Sequence, residues 1–270
     1  MVSITSEVKM PTKIKKDSFR KLLRFWRKQK RISQLSLSLD LEISSKHLSF
    51  LETGKSNPSR SLVLKIADYF KMPFRQKNLF LISAGYSPEY SEESFYSDKL
   101  KIIRDAFLQI LDKHERYPAL VVDTSYQILM KNKGYEQIVK TFAGINAFHQ
   151  FENSIELFLS PDGFRNYLQN LSQLESFILN RLKEEMNFSQ SKKLFNLYHK
   201  ISRHPRAKEV FSTQEEMNLP VLKFTLQKEN KKASFFTILS TLGTPTDVTS
   251  QELRLELLFP VDEETKKLFL

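Results

Sequence analysis

The chain of 270 residues contains no cysteine, which excludes disulfides, thiolate catalysis and zinc sites of the finger type. Its six glycines form no glycine-rich phosphate loop, and the sequence has no His-Glu-x-x-His motif and no Gly-x-Ser-x-Gly elbow. No window approaches the roughly 18 apolar residues of a membrane span, and residues 1–16 lack the apolar core of a signal peptide. We therefore expect a cytoplasmic protein without enzymatic activity, catalytic residues, a metal site or a membrane contact.

Positive charge is concentrated in the N-terminal third of the chain. Residues 1–85 hold 18 Lys and Arg against 6 Asp and Glu, whereas the remainder holds 24 basic and 25 acidic residues. A surplus confined to one module is typical of a nucleic-acid-binding protein. Residues 1–16 carry four of the lysines and are predicted to form a basic flexible arm, which either lies along DNA phosphates or is a frayed tail.

Residues 17–85 are predicted to form a compact all-α domain of five short helices. Ser33 and Ser44 are suited to N-caps, and Gly54 is suited to a left-handed C-cap. The first and fourth helices show apolar residues at i, i+3, i+4 and i+7, namely Phe19, Leu22, Leu23 and Trp26, then Val63, Ile66, Ala67 and Phe70. The fifth helix runs from about Phe74 to Ala84.

The second helix is ambiguous, because four leucines alternate with polar residues from position 35 to position 41, a pattern typical of a strand. We predict a helix because Leu37 and Leu41 lie four residues apart, Ser38 allows close packing, and good caps flank the segment. This prediction requires Leu35 and Leu39 to be partly exposed or covered by another element.

The second and third helices, with a tight break between them, have the layout of a helix-turn-helix. In this motif the second helix enters the major groove, and its N-terminal residues reach the base edges. Lys46 can donate to guanine, and Phe50 can pack on a thymine methyl group. The candidate DNA-binding residues are Gln34, Ser44, Ser45, Lys46, Ser49, Phe50, Lys55, Asn57 and Arg60. Glu52 is predicted to be structural, paired with Arg24 or Arg27. One such domain buries little surface, so we expect a homodimer on double-stranded DNA.

Residues 86–97 are acidic and rich in Ser and Tyr, and they are predicted to be a linker that is docked through its aromatic residues. Residues 98–270 are predicted to form an α+β domain with a two-plus-three antiparallel sheet. Its expected elements are an amphipathic helix with Leu100 to Leu111 on its apolar face, strands Ala119–Val122 and Tyr126–Lys131, a helix capped by Asn132, a helical middle over about 135–210, and strands Val221–Gln227, Ser234–Leu242 and Glu252–Phe259.

The segments SSKHLSFLETGKSNPSRSLVLKIADYF and FLISAGYSP resemble the DNA-binding half of the Cro/repressor-type (XRE-like) helix-turn-helix transcriptional regulators. The chain resembles most closely the branch with an MmyB-like (MltR-like) ligand-binding domain, through Tyr117-Pro118-Ala119, the turn Pro161-Asp162-Gly163 and the block GTPTDVTSQELRLELLFPVDEET. The resemblance implies a PAS-like C-terminal domain that binds a small apolar ligand, with fatty acids as the ligand class and no other cofactor.

Two positions depart from the pattern of this family. Glu42 stands where the turn between helices two and three usually has Gly, so either Glu42 is left-handed, at a cost of about 1 kcal/mol, or the turn differs. Tyr126 stands where the hairpin often carries Trp.

A pocket for an acyl chain is compatible with the composition of the second domain, because the chain contains 22 phenylalanines. The carboxylate of such a ligand needs donors, and the candidate ligand-binding residues are Tyr126, Asn132, Arg181 and Arg254. Arg254 faces opposite to Leu253 and Leu255 within its strand, although it could instead be a surface cross-strand partner.

Two other classes of protein remain open. One is a ligand-independent dimeric repressor whose C-terminal domain is only a dimerisation or interaction scaffold. The other is a PAS-type scaffold that holds haem or flavin, for which His114, His149, His199 or His204 could supply an axial haem ligand.

Overall fold

A computed structural model describes residues 17–189, 191–204 and 221–270 of the chain. The predicted arm and the end of the predicted helical middle lie outside these residues. By its internal packing the chain divides into two units, one that ends at Glu92 and includes Thr246–Val248, and one that comprises Glu93–Pro245 and Thr249–Leu270. Within the described parts of the chain, no helix has the length and apolarity required to cross a membrane.

The first unit contains the five predicted helices: α1 Asp17–Gln29, α2 Gln34–Asp40, α3 Ser45–Thr53, α4 Arg60–Tyr69 and α5 Phe74–Ser83. Their shared core includes the apolar stripes of α1 and α4 that the sequence predicted. Three serines act as N-caps through their side chains, Ser33 on α2, Ser44 on α3 and Ser59 on α4. Gly54 ends α3 with a φ of 77°. The all-α prediction for this half is confirmed.

The helical prediction for α2 is also confirmed. Leu37 and Leu41 are buried together, and Ser38 is buried beside them. Leu35 and Leu39 point away from the core and are 62% and 67% exposed. The alternating pattern was therefore misleading because two of the four leucines never enter the core.

The turn between α2 and α3 places Glu42 in the left-handed region, with a φ of 57°. Lys65 supports the turn by donating to the Leu41 carbonyl at 2.9 Å and to Glu42 Oε2 at 2.7 Å. Of the two predicted alternatives, a left-handed Glu42 or a different turn, the structure has the left-handed Glu42. Its cost comes from the contact of Cβ with the backbone, which glycine lacks.

Replacing Glu42 tests this backbone strain. The variants Glu42→Gly and Glu42→Ala both lose the pair with Lys65, but only alanine keeps Cβ. We expect the Gly variant to have a free energy of unfolding about 1 kcal/mol higher than the Ala variant, as measured by urea denaturation of the full chain. An Ala variant as stable as the Gly variant would show that the turn is unstrained.

The second unit begins with a short 3-10 turn and α6, Lys101–Lys113. Strands β1 Ala119–Val122 and β2 Ile128–Lys131 precede the helices α7 Lys133–Phe142, α8 Ile145–Gln150, α9 Ser154–Leu159, α10 Leu171–Ser189 and α11 Lys192–Ser202. The chain then forms β3 Lys223–Lys228, β4 Lys231–Thr241, α12 Val248–Glu252, β5 Arg254–Pro260 and α13 Glu263–Lys267. The strands form one antiparallel sheet in the order β2-β1-β5-β4-β3, so the predicted α+β class is confirmed.

The two faces of this sheet have different covers. On one face, Leu120 and Leu258 share a core with Tyr135, Ile138 and further residues of the helices that connect β2 to β3. On the other face, Ala119, Val121, Leu253 and Leu255 pack against Phe107 and Leu111 of α6. Residues of β5 therefore alternate between the two faces. Arg254, Glu256 and Leu258 point to the face that is covered by the helices between β2 and β3, which we call the helix-covered face, and the residues between them point to the face that packs against α6.

The prediction that the second strand begins at Tyr126 is wrong, because the strand begins at Ile128. Tyr126 has a φ of 65°, and its amide donates to the Asp123 carbonyl at 2.9 Å. The carboxylate of Asp123 accepts from the amides of Ser125 and Gln127 at 2.7 and 3.0 Å. An Asx turn of this kind competes with strand pairing, and it delays the start of β2.

The stretch 86–97 makes side-chain contacts near its middle, at Tyr90, and near its end, at Phe95. Tyr90 stacks on Phe74 with ring centroids 3.9 Å apart, and Asn78 donates to the Tyr90 carbonyl at 2.7 Å. Further along, Phe95 is buried, and Arg104 donates to its carbonyl at 2.5 Å. Tyr90 and Phe95 are thus packed, as expected for a docked stretch, whereas Tyr96 is 70% exposed.

Candidate DNA-binding face and ligand cavity

Helix α3 is fixed to α1 and α2 through the buried carboxylate of Glu52. Arg27 donates to it twice, from Nε to Oε1 at 2.6 Å and from Nη2 to Oε2 at 2.9 Å. Gln34 donates from Nε2 to Oε2 at 2.7 Å, and Arg24 donates to the Glu52 carbonyl at 2.6 Å. The hydrogen bond to Glu52 raises the pKa of Arg27. The predicted structural role of Glu52, paired with Arg27, is confirmed.

The bond to Glu52 also bears on Gln34, which the sequence placed at a DNA phosphate. It uses one of the two N–H donors of the amide and leaves the second for another acceptor. Gln34 is half-buried at the start of α2, so its side chain is oriented before any DNA contact is made.

A cationic and aromatic patch lies on the exposed side of α3. The amines of Lys46 and Lys55 lie 5.7 and 5.8 Å from the centroid of the Phe50 ring. Ser45 is exposed at the start of the helix, and Ser49 is half-buried. Lysine amines over an aromatic ring are attracted to its face, and this geometry holds two positive charges beside one apolar surface.

The remaining candidates for DNA contact differ in their exposure and in their partners. Ser44 is exposed, and its hydroxyl oxygen accepts from the His47 amide at 3.1 Å as the cap of α3. Asn57 is exposed in the loop after α3, where Gly54 reverses the chain. Arg60 is paired with Glu89, so its guanidinium has to leave that partner to reach a phosphate.

Three of the four candidate ligand-binding residues come together around Glu185 of α10. Tyr126 donates to its Oε2 at 3.0 Å, Arg254 donates to its Oε1 at 3.0 Å, and Arg181 donates to the same Oε1 at 3.2 Å. Both guanidinium carbons lie 5.5 Å from the centroid of the Tyr126 ring. Arg254 is therefore directed into the helix-covered face of the sheet and is not a surface cross-strand partner.

Asn132, the fourth candidate, has a structural role instead. Its Oδ1 accepts from the amides of Ala119 and Tyr135, both at 3.0 Å, and its Nδ2 donates to the Tyr117 carbonyl at 2.9 Å. It is the predicted N-cap of α7, and its amide is occupied by backbone groups. We therefore withdraw Asn132 as a ligand-binding residue.

A small cavity of about 70 Å³ lies on the helix-covered face of the sheet. Its lining consists of Leu120, Tyr135, Ile138, Ser154, Leu157, Phe158, Phe164, Phe224, Thr237, Glu256 and Leu258. The hydroxyl groups of Tyr135 and Ser154 are buried and have no hydrogen-bond partner among the described residues. A buried group without a partner costs about 1–3 kcal/mol, so both hydroxyls favour a ligand that can bond to them.

Glu256 is the charged side chain of this lining. It belongs to β5 and lies between Leu120 of β1 and Leu239 of β4 in the sheet. Burial raises its pKa, the charges of Arg181 and Arg254 oppose this rise, and Glu185 adds to it. The net effect favours the protonated carboxyl group.

Sequence reasoning missed Glu256, Tyr135 and Ser154. The alternation that singled out Arg254 also places Glu256 on the same face, so that signal was available. Tyr135 and Ser154 lie in the first turns of α7 and α9, and no motif or spacing in the sequence sets them apart.

A pH titration of stability tests the state of Glu256. Above about pH 4.5, the ordinary glutamate value, the unfolded chain releases this proton while the folded chain keeps it, so stability falls as pH rises towards the raised pKa. Glu256→Gln removes this loss, and we expect its advantage over the unmodified chain to grow by up to about 1.4 kcal/mol per pH unit. Urea denaturation from pH 4.5 to 8 measures the difference, and parallel curves would contradict a raised pKa.

Comparisons with known proteins agree with the two units of the fold. Residues 23–76 match the model of a helix-turn-helix domain. Residues 103–270 match the model of the MmyB-like transcription regulator ligand binding domain, which covers more than half of the chain. No curated protein matches the sequence. The chain therefore belongs to the MmyB-like family of transcription regulators, with a helix-turn-helix domain before its ligand-binding domain.

Proposed function

We propose that this DNA-binding transcription regulator senses a fatty acid with its C-terminal domain and binds a two-fold operator as a homodimer. The observation that carries the sensing half is a mainly apolar cavity with four polar side chains, two of which have buried hydroxyls without a partner among the described residues. The PAS-like architecture is supported by a five-stranded antiparallel sheet with helices inserted between its second and third strands.

The DNA-binding half of the proposal rests on the exposed side of α3. Lys46 lies in the first turn of the helix, where a side chain reaches base edges when the helix enters the major groove. Lys55 lies beyond the end of the helix and is proposed to contact a phosphate. Phosphate contacts orient the protein on DNA but do not distinguish one base sequence from another. Ser44, Ser45, Ser49, Asn57, Arg60 and Gln34 are proposed to complete this surface.

Two lysine substitutions separate base contacts from phosphate contacts. We expect Lys46→Ala to lose about 1–3 kcal/mol of operator binding and to relax the preference for one base pair, because a base contact is specific. We expect Lys55→Ala to weaken binding to all duplexes alike and to reduce the salt slope by about one. Fluorescence anisotropy with a selected operator and a scrambled duplex, over a series of salt concentrations, measures both effects.

Lys267→Ala is the matched control, because it removes the same charge from an exposed position of the second unit. It should leave both duplex affinities unchanged. If Lys46→Ala and Lys55→Ala also leave operator binding unchanged, this face of α3 does not bind DNA.

The fatty-acid half of the proposal is supported by the apolar lining and by the nearby arginines. Phe158, Phe164 and Phe224 line the cavity and suit an acyl chain, and Arg181 and Arg254 supply positive charge near Glu256. Ligand pockets usually measure about 300–1,000 Å³. A long acyl chain therefore has to widen the 70 Å³ cavity when it binds.

Ligand extraction and thermal unfolding test this half. We expect organic extracts of the purified chain to contain a fatty acid by mass spectrometry. We also expect decanoic or tetradecanoic acid to raise the unfolding temperature, because a ligand at 100 times its Kd stabilises the folded state by about 2.7 kcal/mol. Extracts without lipid, and no shift with either acid, would favour the ligand-independent repressor. A coloured protein would favour the haem or flavin scaffold.

A further inference from the structure

The polar side chains of the cavity determine which ligand head group can form hydrogen bonds there. Tyr135, Ser154 and Glu256 come from three different elements, α7, α9 and β5, and line the same 70 Å³ cavity. Both hydroxyls can donate a hydrogen bond, and neither has a partner among the described residues. A head group with two acceptor oxygens meets this arrangement.

We propose that the cavity receives the carboxylate of the ligand and that Glu256, in its protonated form, donates a hydrogen bond to it, so that ligand and proton bind together. This proposal rests on the proposed fatty-acid function and names the residue that selects an acid. Tyr135 and Ser154 supply donors for the remaining lone pairs of the carboxylate.

The charges around Glu256 favour binding of the ligand carboxylate together with a proton. Arg181 and Arg254 carry two positive charges, and Glu185 supplies one negative charge that both arginines contact. With Glu256 protonated, one positive charge is uncompensated, and the ligand carboxylate neutralises it. With Glu256 ionised the arginines are already balanced, and the ligand would add an unpaired negative charge to a buried site.

The other neighbours of Glu256 leave this count unchanged. Leu120 and Leu239, its cross-strand neighbours on β1 and β4, carry no charge. On α7, Tyr135 is neutral, because burial raises its pKa. Tyr126 is neutral as well, because burial raises its pKa and it donates to Glu185. Two carboxyl groups that share one site hold a single proton between them, which is the state proposed for Glu256 and its ligand.

Proton uptake during binding of decanoic acid tests the proposal. The full chain is titrated calorimetrically from pH 5.5 to 9.5, in buffers of different ionisation enthalpy. Where free Glu256 is ionised, we expect about one proton to be taken up per ligand and the affinity to fall about tenfold per pH unit. Glu256→Gln keeps a hydrogen-bond donor but cannot titrate, so its affinity should stay level over the same range, without proton uptake.

Two comparisons separate this mechanism from others. 1-Decanol carries no charge and needs no added proton, so its affinity for the unmodified chain should not fall tenfold per pH unit. Tyr135→Phe removes one donor without altering shape, and it should weaken decanoic acid about tenfold while the pH dependence persists.

Each outcome of the experiment decides something. Binding of decanoic acid to the unmodified chain with level affinity and no proton uptake overturns the role of Glu256 alone. The same holds if Glu256→Gln retains the pH dependence of the unmodified chain. If decanoic acid does not bind at any pH, the fatty-acid function and the role of Glu256 both fail. The uptake measurement on the unmodified chain requires no variant, so it holds even if a substitution impairs folding.

Discussion

A buried polar group needs a hydrogen-bond partner, and among the described residues of the second unit that requirement is unmet at Ser97 and at two hydroxyls of the cavity lining. Tyr135, Ser154 and Glu256 line the same small cavity, and the buried hydroxyls of the first two have no partner among the described residues. The charges of two arginines act on Glu256. Each buried group without a partner lowers the stability of the empty domain and raises its affinity for a ligand that bonds to it. The ligand-binding character of the family thus has a physical basis in specific atoms of this chain.

In the first unit, the buried carboxylate has its hydrogen-bond partners within the protein. Its buried carboxylate, Glu52, accepts from Arg27 and Gln34, and the backbone carbonyl of the same residue accepts from Arg24. These bonds connect the helix-turn-helix elements α2 and α3 to α1 without help from a ligand. The amines of Lys46 and Lys55 lie near the Phe50 ring on the exposed side of α3, and their partners are proposed to be DNA. The proposed binding groups of the first unit therefore lie on its surface, and those of the second unit lie in a cavity.

The helical unit was predictable because its signals are local. Caps at Ser33 and Ser44 and the spacing of Leu37 and Leu41 identify α2 as a helix despite its alternating leucines. The charged cluster beside the cavity was only partly predictable, because Arg254 and its partner Glu185 of α10 are 69 residues apart in the sequence. Local signals can also mislead there. Asn132 has the amide of a ligand-binding residue, yet backbone groups of Tyr117, Ala119 and Tyr135 already bond to that amide.

The most direct measurement is the operator affinity of the full chain with and without saturating decanoic acid, at one salt concentration and one pH. Coupling between the two sites should change this affinity by about fivefold or more. The affinity for decanoic acid should change by the same factor when operator DNA is bound, because linkage is reciprocal. If decanoic acid binds the cavity but both affinities stay the same, the chain binds DNA and a ligand independently and is not a sensor.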